Sequence, residues 1–101
     1  MNRLKDNEEY LTCKYDARQS FYGKGIIKEQ QYDNFNAFIL YSYGTEVVSI
    51  EKYKNGLTIY YYNGKYSQTT TRHQKEFFKQ NGLNDKEIKE LFDKGELIKN
   101  D

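Results

Sequence analysis

The chain has 101 residues, enough for one modest core and too few for two. Its 15 acidic and 16 basic side chains leave a formal charge of +1, which argues against an acidic mimic of DNA and against a protein held on nucleic acid by a large basic field. One cysteine, Cys13, rules out an intramolecular disulfide and a cysteine-rich zinc site, while 11 Tyr and 6 Phe supply burial area that a 37% hydrophobic fraction would otherwise lack.

No apolar run approaches the ~20 residues of a membrane span, and MNRLKDNEEY carries no signal-peptide pattern. A single cytoplasmic domain is therefore expected, with no membrane partner. The first seven residues, MNRLKDN, are polar and read as frayed. EEYLTCKY then alternates Tyr10, Thr12 and Lys14 against Leu11, Cys13 and Tyr15, a period of two that suggests a half-buried strand. SFYGKGIIKEQ is a second strand candidate, with Gly23 and Gly25 marking a bulge, a bend or a close backbone approach.

YDNFN reads as a turn and AFILYSY as a strand. Gly44 divides it from TEVVSIEKY, either as a bend in one long strand or as a turn between two. Asn-Gly pairs at 55–56 and 63–64 suit tight hairpin turns, so LTIYYY between them is expected to be the middle strand of a meander ending in KYSQ. Its alternate faces are Leu57, Ile59 and Tyr61 against Thr58, Tyr60 and Tyr62. One face should pack on helices and the other should form a tyrosine-bearing surface.

The period then changes. Thr71 with Gln74 three residues on fits a capping box and sets a helix over 72–81, which Asn81-Gly82 stops. Asn84 with Glu87 opens a second helix in which Ile88, Leu91 and Phe92 share a face, and Gly95 ends it. The fold class is α+β: a mainly antiparallel sheet of four to six strands followed by two short C-terminal helices packed on it.

The stretch KYSQTTTRHQKEFFKQNG holds the most chemistry. A helix start there would offer amide donors and a positive dipole end beside Arg72, Lys75, Lys65 and the hydroxyls of Thr69 and Thr70, a set suited to phosphate. His73, the lone histidine, could serve as a base for Ser67 or a threonine, but no nucleophile elbow or catalytic spacing accompanies it. One histidine and one cysteine supply too few ligands for a metal, and no cofactor motif is present, so no metal, cofactor or catalytic residue is assigned. Tyr60 and Tyr62, interleaved with lysines on the meander, could stack bases.

Three motifs also resemble a family of small uncharacterised domains from bacteriophages and integrative or conjugative elements. They are YDARQSFYGKG at 15–25, YSYGTEVVSI at 41–50 and YSQTTTRHQKEFFKQNG at 66–82. The resemblance implies a mobile-element origin and brings no established activity. It directs attention to Asp16, Arg18 and Lys24 together with the threonine–histidine corner. The leading expectation is a non-enzymatic protein that contacts nucleic acid through this basic helix start and the tyrosine-bearing sheet. The alternative is a protein-binding modulator, such as an anti-CRISPR-like inhibitor of a host defence complex that uses exposed tyrosines as anchors; a small hydrolase comes third.

Overall fold

The structure, a computed structural model, describes residues 7–17 and 20–100. Six antiparallel strands lie side by side in chain order: β1 (Glu8–Tyr10), β2 (Gly25–Gln31), β3 (Phe35–Ser42), β4 (Thr45–Tyr53), β5 (Leu57–Tyr62) and β6 (Glu96–Asn100). Helices α1 (Gln68–Gln80) and α2 (Asp85–Lys94) fall between β5 and β6 in sequence. The architecture is the expected α+β sheet with two helices on it, extended by a closing strand.

Local chemistry explains most of the middle of the chain. Tyr43 and Gly44 both take left-handed φ angles, 52° and 82°, so Gly44 is a tight turn between two strands and not a bend in one. At the next connection Gly56 N–H donates to Tyr53 O at 3.1 Å and Leu57 N–H donates to the Asn55 side chain at 3.0 Å. The β3–β4 register shifts at Leu40/Tyr41. This bulge puts the consecutive residues Val47 and Val48 both into the core, where they are 1% and 0% exposed.

Both helices cover one face of the sheet. Ser42, Val47, Tyr62 and Lys99 contact them there, and Leu40, Ile50, Phe77, Phe78, Ile88 and Leu91 fill the layer between. Helix α2 forms as its sequence dictates. Asn84 accepts from Glu87 N–H at 2.8 Å, Glu87 accepts from Asn84 N–H at 3.0 Å, and Gly95 closes the helix in the left-handed region.

Several expectations need correction. The first strand ends at Tyr10: Leu11 N–H makes a last bond to Gly25 O at 2.9 Å, and from Thr12 on the chain is tied to α1. The second strand begins at Gly25 and not at Ser20, and the third takes in Phe35 and Asn36 of the expected turn. Of the seven residues read as frayed, 1–6 lie outside the described residues, while Asn7 pairs with the Glu29 backbone in both directions. KYSQ is not a strand, and Asn63-Gly64 is not a hairpin: Asn63 N–H donates to Val47 O, and the chain leaves the sheet for α1. The partner of β5 is instead β6, joined in register from Leu57↔Asn100 to Tyr61↔Glu96. Finally, α1 begins four residues early, at Gln68 instead of Arg72. Ser67 is its cap, accepting from Thr70 N–H at 3.1 Å, and Thr71 lies within the first turn donating to Ser67 O at 3.1 Å. The threonine run, a strand former by propensity, is overridden by that cap and by tertiary bonds to Thr70.

Candidate functional site

The three motifs singled out in the sequence meet at one end of the sheet. His73 is fully buried and shares a 2.7 Å hydrogen bond between Nδ1 and Ser42 Oγ, which in turn pairs with Thr70 Oγ1 at 2.9 Å. Phe21 meets the imidazole edge-on at 4.6 Å, and Tyr43 lies over it at 5.9 Å. A Cβ on Gly25 would come within 3.1 Å of Leu11 and 3.8 Å of His73, so this strand approaches because it has no side chain there. The hydroxyl–imidazole pair thus docks the start of α1 on the sheet.

A second set of bonds straps residues 11–17 onto α1. The Glu76 carboxylate, 2% exposed, accepts from Tyr15 N–H at 2.9 Å and Asp16 N–H at 2.8 Å through Oε1. Its Oε2 accepts from Gln80 Nε2 at 2.6 Å, and that same amide reaches Thr12 O at 2.7 Å. Beside the strap, Arg72, Lys75 and Lys79 line a groove of about 270 Å³ with Tyr15 and Asp16. Each cation has a neighbour. Arg72 stands 3.8 Å from Asp16, Lys79 pairs with Asp85 at 3.4 Å, and Lys75 lies 6.0 Å from the Phe92 ring.

The residues expected to form the site are therefore divided. Thr70 and His73 are interior, Thr69 is half-buried in the first helical turn, and Lys65 is exposed in the loop ahead of it. Arg72 and Lys75 sit in the second turn of α1 and not at its start, so they do not cluster around free helix amides. Lys24 is exposed and closes the turn that begins at Phe21. Arg18 lies outside the described residues. Tyr60 and Tyr62 are corrected outright: they face the helices. Tyr60 is 6% exposed, and Tyr62 stacks on Phe92 at 4.2 Å, where burial raises its phenol pKa above the usual value. The register with Val48 and Ile50, and the aromatic contact from α2, turn that face inward.

The opposite parity of every strand forms a face on which neither helix packs. Ile39, Ile59 and Tyr61 are half-buried there, and Ile98 is 54% exposed. In its midst stands Glu51, opposite Ala37 on β3 and Ile59 on β5. Tyr53 Oη donates to Glu51 Oε1 at 2.8 Å and Tyr61 Oη donates to it at 3.3 Å. The bond to Glu51, then burial, raises the Tyr53 pKa; burial, then the charges of Glu51 and Glu96, raises that of Tyr61. Tyr41 is raised likewise, by burial and then by Glu46 and Glu8. These phenols stay protonated donors beside carboxylates. The Glu51 constellation was missed in the sequence because aliphatic Leu57 and Ile59 mark their face of β5 as the core side. The available signal was the Glu51–Tyr53 spacing of two on a strand.

Among the described residues no three His, Cys, Asp or Glu side chains group to hold a metal ion, and no helix is long and apolar enough to cross a membrane. A family model matches residues 10–94, most of the chain. The chain belongs to DUF8033, a family of unknown function. The DUF8033 match runs from the last residue of β1 to the last of α2, so it takes in the strap, the His73 corner and the Glu51 constellation, and stops short of β6. No curated protein and no solved structure matches the chain.

Proposed function

We propose that this protein is a non-enzymatic binding module of a phage or mobile element, and that it engages another protein through the uncovered face of its sheet. The observation that carries this reading is the segregation of the fold: both helices cover one face, leaving aromatic and aliphatic side chains of β3–β6 half-exposed on the other. Rigid aromatic and branched side chains on a preformed sheet are suited to anchor a partner at little entropic cost. An inhibitor of a host defence complex is one role such a module could fill, and the mobile-element origin rests on the motif resemblance.

The nucleic-acid reading retains one supporting feature, the Arg72–Lys75–Lys79 stripe on α1, but of the tyrosines that were to stack bases Tyr60 is buried and Tyr62 is half-buried with its ring stacked on Phe92. A hydrolase reading has a hydroxyl–imidazole pair at 2.7 Å, yet Ser42 and His73 are 3% and 0% exposed, where substrate has no approach.

Affinity capture from a bacterial lysate with the native chain, Ile39→Asp and an Arg72→Ala/Lys75→Ala double variant separates the readings. A protein partner lost with Ile39→Asp and kept by the double variant is expected. Nucleic acid that co-purifies and is lost only with the double variant would overturn the protein-binding reading, since phosphate contacts act through those cations.

A further inference from the structure

Within the strands, the uncovered face carries Glu8, Glu46, Glu51 and Glu96 against a single cation, Lys28, among the described residues. The remaining strand cations, Lys52 and Lys99, are turned to the helix side, where they contact Phe38 and Glu87. Among the described strand residues, the apolar face of a chain of formal charge +1 thus carries an excess of negative charge. Glu51 is the sharpest case. Its carboxylate stands between Ala37 and Ile59 on the neighbouring strands, and both phenols donate to the same oxygen, Oε1, so that Oε2 is open to a donor from outside. A carboxylate set in apolar surface is incompletely solvated, and a planar guanidinium matches it: nitrogen donors for the free oxygen, and flat faces for the Tyr53 and Tyr61 rings. Phosphates of a nucleic acid would be repelled from the same place.

Resting on the protein-binding reading above, we propose that the partner is cationic: a segment bearing arginine amid apolar residues, with one arginine seated on Glu51 between Tyr53 and Tyr61. The apolar neighbours Ile39, Ile59 and Ile98 take the partner's hydrophobic side chains, and the outlying carboxylates steer its approach. Orientation and selectivity come from charge, and contact area comes from the sheet.

The test uses the full chain and two labelled peptides, one alternating leucine with arginine and a twin carrying glutamate in place of arginine, titrated by fluorescence anisotropy at near-physiological salt. The arginine peptide is expected to bind at least about tenfold more tightly than its twin, and Glu51→Gln to weaken it by about threefold to tenfold, as for loss of a partly desolvated charge pair. Lys75→Ala, on the other side of the molecule, should leave it unchanged. Equal affinity for the two peptides, no binding of the arginine peptide, or indifference to Glu51→Gln in a variant whose melting curve is native would overturn the cationic partner. Ile59→Asp separates the two levels of the idea. If both peptides bind alike and both are lost in Ile59→Asp, the face is the docking surface and only the charge assignment fails; if both bind alike and neither responds, the protein-binding reading of this face fails as well.

Discussion

Removing the Glu76 carboxylate should unlatch residues 11–17 from α1. In Glu76→Ala the amides of Tyr15 and Asp16 lose their acceptor, Gln80 Nε2 loses one of its two, and a buried side-chain volume empties. A hydrogen bond to a charged group contributes ~1.5–3 kcal/mol, and an amide left without an acceptor costs ~1–3 kcal/mol where water is kept out. Tyr15 is exposed and Asp16 half-exposed, so water recovers part of that loss. The net expectation is about 2–4 kcal/mol, a large share of the ~5–15 kcal/mol typical of a domain and equivalent to roughly 10–25 °C in melting temperature. Glu76→Gln keeps the Oε1 acceptor without its charge and should cost about 1–2 kcal/mol. Urea titration gives the free energies, and amide hydrogen exchange locates them. Protection at Tyr15 and Asp16 should fall in Glu76→Ala well before global unfolding. A variant within ~0.5 kcal/mol of the native protein, or unchanged exchange at those two amides, would refute the latch.

Ser67→Ala should destabilise the protein by about 1 kcal/mol through loss of the α1 cap, while Thr71→Ala, inside the first turn, should stay within ~0.5 kcal/mol in thermal melts; the reverse order would move the cap back to Thr71. Tyr60→Ala should cost about 3–5 kcal/mol as a core truncation and Tyr61→Ala only about 1 kcal/mol, and comparable losses would mean that the inward face of β5 is misassigned. The bond from Lys99, the amide of Asn84 and the Lys99 charge together hold the Glu87 pKa below its usual 4.5 despite partial burial. Its stabilising contribution is thus full above 4.5 and lost as pH falls through the lower folded value. Glu87→Gln should therefore cost about 1 kcal/mol near neutrality, and the gap should narrow below pH ~4.5 in a pH series of urea titrations; a pH-independent gap would contradict the assignment.

Strands β4 and β5 and the whole of α2 follow from the sequence alone, because each is set by interactions a few residues long. Alternation in TEVVSIEKY, the Asn55-Gly56 turn and the Asn84–Glu87 capping box with its Gly95 stop all close within the segment that encodes them. Where two local answers compete, the tertiary structure chose. Ser67 and Thr71 are both acceptable caps, and the bond from buried Thr70 to Ser42, 28 residues away, favours the earlier start. LTIYYY has apolar residues at both parities, so only its pairing with Val48 and Ile50 and the Phe92 stack decided which tyrosines are buried. ELIKN is too short to announce a strand by itself, and becomes β6 because the open edge of β5 supplies its hydrogen bonds. Glu76 reads in sequence as one more charge on a helix. Its place in the interior depends on amides 60 and 61 residues away, a separation at which no local pattern carries information.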